Sequence, residues 1–396
     1  MSPFGARLQK LLTRCSYALA ALLPFLVPFD ANRNIDMQGL ILLIAGGFSW
    51  SALALRYRRT LQQLSPASWA LIAVYVASCL ISLAATHAGP YAIAGSPYIR
   101  LGSLGLIACI GGGLLLQRFD TRTLIKYLYA SISLVALISI PYTLIEFHSV
   151  VRISGLVAQA DVFGVLLGCG FLLGLALIND ASKWRNYLLA NQCLLVVLLL
   201  LTGTRAAILL TIALAVCWQL QNQRSRFLKF VPIYVILIVV LVGSVHYIQP
   251  NRLTNVAYAS ESVSYRRDLQ SAALRSSLDK PLLGYGAGNL ADALDCTKLS
   301  EKSLQTTCHD GYFFNSSHNI FIDRMLGVGW LGGLAYLSII IFAIYQGLRA
   351  KNQAHIFGYL ALLISLYYLT NVTSVVLELL LWVTLLQCLK KPPTKT

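Results

Sequence analysis

Residues 186–221 read Asn186-Tyr-Leu-Leu-Ala-Asn-Gln-Cys-Leu-Leu-Val-Val-Leu-Leu-Leu-Leu201-Thr202-Gly203-Thr204-Arg205-Ala-Ala-Ile-Leu-Leu-Thr-Ile-Ala-Leu-Ala-Val-Cys-Trp-Gln-Leu-Gln221. The run is far longer than the ~20 residues that cross a hydrocarbon core. Its middle holds a glycine, two threonines and an arginine, and a charge is costly at membrane depth. Two spans joined by a tight turn at 202–205 fit better than one long helix, and that reading sets the parity of every later span.

Working outward, apolar runs of spanning or near-spanning length fall at 15–29, 38–55, 68–86, 101–117, 124–146, 160–178, 186–202, 205–221, 229–247, 319–347, 355–371 and 373–389. Of 396 residues, 57% are hydrophobic and 12% charged, and mean hydropathy is +0.69. Such a chain satisfies its backbone polar groups only as membrane helices. The expected fold is therefore all-α, an integral membrane protein of about 12 spans. Spans 1–9 occupy 1–247, a long outer cap loop occupies 248–318, and spans 10–12 with a polar tail occupy 319–396. The first run follows Arg7, Lys10 and Arg14 and resembles a signal peptide, but no convincing cleavage site follows it, so an uncleaved first span is expected.

The net charge of +16 invites a nucleic-acid partner, but no basic cluster lies on a soluble face. With the N-terminus inside, the inner loops collect Arg56, Arg58, Arg59, Arg118, Arg122, Lys126, Lys183, Arg185, Arg224, Arg226, Lys229, Arg349, Lys351, Lys390, Lys391 and Lys395. The short outer loops hold one arginine each (Arg33, Arg100, Arg152, Arg205) or none. The charge is thus a positive-inside signal placing both termini in the cytoplasm.

The outer loop 248–318 is balanced in charge and too short for an independent domain with a sizeable core. Tyr265, Leu269, Ala273, Leu274 and Leu278 are spaced as one helical face, suited to lying along the membrane surface. Lys280-Pro281 stops that helix, and Gly284-Tyr285-Gly286-Ala287-Gly288 makes a turn. As a nucleotide motif the glycine run is weak, because neither a preceding strand nor a βαβ unit accompanies it. Cys296 and Cys308 lie outside apolar runs and, in an oxidising compartment, are expected to be bridged. Cys15, Cys79, Cys109, Cys169, Cys193, Cys217 and Cys388 sit inside apolar runs as small buried hydrophobes.

Three outer positions carry chemistry. Arg205 stands at a helix start, where unpaired N–H groups and the macrodipole already favour anions. Arg266 and Arg267 lie in the cap. His318 stands at the mouth of the tenth span in Asn315-Ser316-Ser317-His318-Asn319-Ile320-Phe321-Ile322-Asp323-Arg324. Guanidinium groups suit phosphate oxygens, and imidazole suits proton removal from a hydroxyl. Together they describe transfer from a membrane-borne diphosphate donor to a hydroxyl acceptor. No DxD-like cluster appears in the outer loops, so neither metal nor another cofactor is expected. Asp323 and Arg324 have the charges for an ion pair at the helix mouth.

At these residues the sequence resembles the O-antigen ligase family. The resemblance rests on Leu201-Thr-Gly-Thr-Arg205, on Ser264-Tyr-Arg266-Arg-Asp-Leu-Gln270 with Lys280-Pro281-Leu-Leu-Gly284-Tyr-Gly286, and on Ser316-Ser-His318-Asn319 with Gly327-Val-Gly329-Trp-Leu-Gly332-Gly333. Gln270 stands where the family often has an aromatic residue. Arg152-Ile-Ser-Gly155 is similar to a motif before the sixth span, with Asp161 near the place of a frequent asparagine. The resemblance implies a glycosyltransferase of the bacterial inner membrane with a periplasmic active site. It would move polysaccharide from an undecaprenyl-diphosphate-linked glycan to a lipid A-core acceptor, amid membrane lipids. His318, Arg205 and Arg266 would be catalytic; Arg267, Asn319, Arg152 and Arg324 would bind substrate. Two alternatives stay open: an O-antigen polymerase with a lipid-linked glycan as acceptor, and a lipid-diphosphate transporter, for which the nearly uncharged spans offer little path.

Overall fold

The computed structural model describes residues 62–86, 101–149, 153–157, 159–178, 184–222, 256–289, 293–309, 314, 316–350 and 354–391, with isolated residues between 46 and 54, between 92 and 95, and at 243. The expected spans at 15–29 and 229–247, and much of that at 38–55, lie outside them. The described helices are α1 (Pro66–Ala85), α2 (Ser103–Leu116), α3 (Thr121–Ser149), α4 (Ala160–Ile178), α5 (Arg185–Leu201), α6 (205–222), α7 (Val256–Ser277), α8 (Lys302–His309), α9 (Ile320–Arg349), α10 (His355–Tyr367) and α11 (Val375–Cys388). Among these residues no strand forms, and one isolated bridge joins Leu64 to Lys390. By length and composition α1, α3 over Thr121–Leu144, α4 and α9 can cross a membrane, and α2, α5, α10 and α11 are shorter apolar helices. Over the described residues the chain is all-helical, with the several long apolar helices of a multi-pass membrane protein.

The stretch 186–221 breaks where its sequence says. α5 ends at Leu201, Gly203 adopts a φ of 61° that a side chain resists, and a new helix starts at Arg205. Gly164 and Gly168 on α4 let α6 approach closely: a Cβ on Gly164 would meet Thr202 Oγ1 at 3.0 Å and Ala207 Cβ at 3.2 Å, and one on Gly168 would meet Thr211 Oγ1 at 2.2 Å. Small residues four apart are the usual means of close helix contact in membranes.

Helix ends gather in two sets. Lys391 N–H donates to Gln63 O (2.9 Å), Lys390 Nζ donates to Gln117 O (2.9 Å) and Phe119 O (3.1 Å), and the Asn222 amide meets His355 Nε2 (3.1 Å). The other set joins Ile153 N to Leu201 O (3.5 Å), Thr204 Oγ1 to Ala160 O (3.1 Å) and Ile320 N to Tyr368 O (3.0 Å). Alternate loops of the sequence thus meet at alternate ends, as a chain threading back and forth requires.

The turn after α7, in the stretch expected to form a cap, is tied to α9 by its glycines. Gly329 breaks α9 with a φ of 77°, which frees backbone groups to bond with the turn after α7. Tyr285 N–H donates to Leu326 O (2.9 Å), Gly286 N–H to Gly327 O (2.8 Å) and Trp330 N–H to Pro281 O (2.7 Å). The glycine run that reads faintly as a nucleotide loop is a docking turn. Cys296 and Cys308 are disulfide-bonded, with Cα atoms 5.7 Å apart. Asp268 accepts the Ser300 and Glu301 amides (2.9 and 3.0 Å) just before α8; burial opposes its charge, but these bonds outweigh it and hold the carboxyl below its usual range.

Two expectations need correction. α7 buries Leu269, Ala272, Ala273 and Ser276, while Leu274 and Leu278 are exposed. The buried set keeps i, i+3, i+4, i+7 spacing, and Leu274 and Leu278 fall off that face. Cys79, Cys109, Cys169 and Cys388 are buried, but Cys193 and Cys217 are exposed on α5 and α6, because those helix faces turn away from the bundle.

Candidate functional site

Four elements converge on one end of the bundle. Asp161 lies in the first turn of α4, and Thr204, the residue before Arg205, donates its hydroxyl hydrogen bond to Asp161 Oδ1 at 3.2 Å. Arg205, half-buried, therefore starts α6 beside the α4 N-terminus. Arg266 on α7 is half-buried, and its neighbour Tyr265 meets the His318 ring edge-on with centroids 6.2 Å apart. His318 occupies the turn that leads into α9.

The imidazole carries the marks of a worked position. Its pKa is pushed down to about 4, first by burial and then by the Arg266 charge, with the Asp161 carboxylate pulling the other way. Its Nδ1 is buried and, among the described residues, has no hydrogen-bond partner. Its backbone φ is 60°, a left-handed value that no other described residue except glycine adopts. Strain of that kind concentrates at functional sites. Asn319 caps α9, its Oδ1 accepting from Phe321 N (3.0 Å) and Ile322 N (3.4 Å). The side-chain oxygen of Asn319 is thus committed to the helix start.

Of the two adjacent cap arginines, Arg266 bears on His318 and Arg267 is exposed. Arg152 lies outside the described residues; its neighbour Ile153 bonds to Leu201 O, and Gly155, at φ 55°, packs against Ser139. Arg324 is not gathered with the others. It is 4% exposed and pairs with the fully buried Glu378 on α11 at 3.4 Å. The ion pair expected between Asp323 and Arg324 gives way to separate partners, because adjacent helical residues do not face each other. Asp323 instead accepts from Ser316 Oγ (2.6 Å) and Ser317 N (2.8 Å).

Sequence reasoning undervalued several contributors. Gln270 reaches the His318 and Leu369 carbonyls at 3.4 and 3.5 Å, so its amide fills the place of the aromatic residue. Asp161 stood out only as a departure from an asparagine, and nothing in the spacing announces its pairing with Thr204. Among the described residues no three His, Cys, Asp or Glu side chains stand together in a way that could hold a metal ion.

Arg266 and Asp161 bear on one buried imidazole of depressed pKa, next to the turn that starts α6 at Arg205. Guanidinium groups suit the oxygens of a diphosphate, and a neutral imidazole can accept a proton from a hydroxyl. No curated protein matches the chain. Residues 192–337, which hold Arg205, Arg266 and His318 but neither Asp161 nor Glu378, match the family model for O-antigen ligase, and over that stretch the chain is similar to the O-antigen ligase family.

Proposed function

We propose that this protein transfers a polysaccharide from undecaprenyl diphosphate to a sugar hydroxyl of lipid A-core, on the periplasmic face of the inner membrane, with inversion and without a metal. The family match over residues 192–337 supports ligase- or polymerase-type transfer from a lipid-linked glycan in general. The observation that carries the finer reading is Arg266 and Asp161 bearing on one buried imidazole, next to the turn that starts α6 at Arg205. His318 takes the proton from the acceptor hydroxyl as its oxygen bonds to the anomeric carbon. The bond from that carbon to the diphosphate oxygen breaks, and Arg205 and Arg266 hold the diphosphate as it departs with its charge. Direct displacement inverts the anomeric centre.

The test is to express His318→Ala and Arg205→Ala in a strain without the native gene, and to analyse both lipopolysaccharide and the carrier-linked pool. Loss of a ligase leaves bare core and long polymer stranded on the carrier. Loss of a polymerase leaves core capped with a single repeat, which would replace the ligase reading. Full polymer on core in both variants would sink the site assignment.

A further inference from the structure

The four residues before α9, 316–319, are held by more than a helix cap. Asp323, in the first turn of α9, accepts the Ser316 hydroxyl on Oδ2 at 2.6 Å and the Ser317 amide on Oδ1 at 2.8 Å. Ser316 Oγ in turn accepts the His318 N–H at 3.0 Å. A serine hydroxyl has one proton; directing it to Asp323 leaves the oxygen lone pairs facing the histidine amide. Ser317 Oγ closes a second small ring with Asn319, accepting its N–H at 3.3 Å and donating to its carbonyl at 3.2 Å. Ser316 and Ser317 are both buried. The chain of bonds runs from a carboxylate at the positive end of a helix, through one hydroxyl, to the backbone of the one described non-glycine residue with φ in the left-handed region.

A left-handed conformation is disfavoured for a side-chain-bearing residue, so the loop would relax without something to hold it. Capping alone does not account for the arrangement, because Asn319 already caps α9. We infer that Asp323, acting through the Ser316 hydroxyl, is a positioning residue that fixes the His318 backbone so that its imidazole stands against Tyr265 beside Arg266. This rests on the reading of His318 as the base; Asp323 itself touches no substrate.

The test uses the full chain in lipid nanodiscs, with Ser316→Ala, Asp323→Asn and Ser316→Thr, each alone and combined with His318→Ala. Ser316→Ala removes the link while leaving Asp323 bonded to Ser317, and thereby guards against an Asp323 variant that simply fails to fold. Positioning predicts that kcat falls about 10–100-fold while KM for the lipid-diphosphate donor stays within about threefold. Ser316→Thr, which keeps the hydroxyl, should recover most of that loss. Neither Ser316→Ala nor Asp323→Asn should lower the residual rate of His318→Ala further, since residues acting through one group are not additive. A second readout ignores turnover: the rate at which diethyl pyrocarbonate modifies His318, followed on its peptide by mass spectrometry, should rise in Ser316→Ala and stay at the parent value in Ser316→Thr. An unchanged modification rate in Ser316→Ala would overturn the relay whatever happens to activity. Full activity in His318→Ala would instead remove the base reading, and the modification rates would still decide the relay.

Discussion

Two neighbours on α9 lead into two different polar networks. Asp323 turns outward to Ser316, Ser317 and the backbone that carries His318, in a region where Arg205, Arg266 and Asp161 remain partly exposed. Arg324 turns inward. Its pair with Glu378 is walled by aromatic rings: Tyr336 O–H donates to Glu378 Oε1 and Oε2 (3.1 and 3.3 Å), Trp382 Nε1–H donates to Oε1 (3.2 Å), and the guanidinium lies 5.6 Å from the Tyr336 ring centre. Tyr75 packs tilted against Tyr336 and stacks on Trp382, with centroids 5.2 and 5.9 Å apart. The inner network pairs one positive with one negative charge, although Arg324 Nε is buried without a hydrogen-bond partner among the described residues. In the outer one the Arg266 charge outweighs that of Asp161 at His318, whose backbone is strained and whose Nδ1 has no hydrogen-bond partner among the described residues. Ionisable residues in membrane segments are often read as functional; here the useful distinction is whether their charges already cancel.

The sharpest way to break that contrast is a crossed pair of substitutions. Glu378→Ala leaves Arg324 buried and uncompensated, which costs about 3–5 kcal/mol. Thermal unfolding followed by size-exclusion fluorescence should show most of the folded population lost. His318→Ala should leave the melting temperature nearly unchanged and lower turnover by about 10²–10⁴-fold, the usual worth of a positioned acid or base. A stable but inactive Glu378→Ala would move the inner pair into the site and erase the distinction.

Why the sequence yields one network and hides the other is a matter of range. Arg205, Arg266 and His318 are legible because each is an out-of-place charge at a boundary that hydropathy locates, and family motifs surround them. The break at 202–205 is likewise local: it needs only Gly203 and the cost of an arginine at mid-span. Partners across the bundle leave no such trace. Glu378 lies in α11, far along the chain from Arg324, and the match of a charge to its partner depends on which helices touch. The same blindness paired Asp323 with Arg324 on adjacency alone, and it left Gln270 as a mismatch when its amide spans to the His318 carbonyl. The glycines fall between: Gly284, Gly286 and Gly329 announce a turn and a kink, but only their contact shows that one is built to receive the other.

The next two effects separate cap from bundle. Replacing Cys296 and Cys308 together by serine opens a loop of sequence separation 12, worth about 3 kcal/mol for loops near that length. The loss should stay within the cap, seen as faster proteolysis between α7 and α9, while the inner network and bundle melting hardly change. Gly329→Ala should cost about 1–3 kcal/mol, since φ 77° with ψ 168° is a backbone conformation that only glycine adopts readily. Its Cβ would also meet Leu282 O at 2.2 Å, so the turn that docks the cap must shift. Activity should fall more than stability, because the same cap carries Arg266. Equal loss of both would mean that cap docking and bundle folding are one cooperative unit.

The smallest effect reaches the centre of the outer network and tests whether Arg266 is electrically beside His318. In the free protein the imidazole pKa lies near 4 instead of its usual 6.5, through burial first and the Arg266 charge second. A histidine whose folded pKa lies below its unfolded one binds fewer protons when folded. Its contribution to stability is therefore whole above about pH 6.5 and is lost as pH falls toward 4. The acid limb of kcat/KM, which reports the free enzyme, should accordingly lie well below pH 6.5. When a diphosphate donor binds, its negative charge offsets the arginine, and the limb of kcat should sit at higher pH than that of kcat/KM. Arg266→Gln removes the second cause and leaves the first. The pKa read from the pH dependence of His318 modification by diethyl pyrocarbonate should therefore rise but remain below 6.5, because the ring is still buried. An identical pKa in parent and variant would separate Arg266 from His318 and dissolve the outer network as a single site, leaving the inner pair as the only coupled charges on α9.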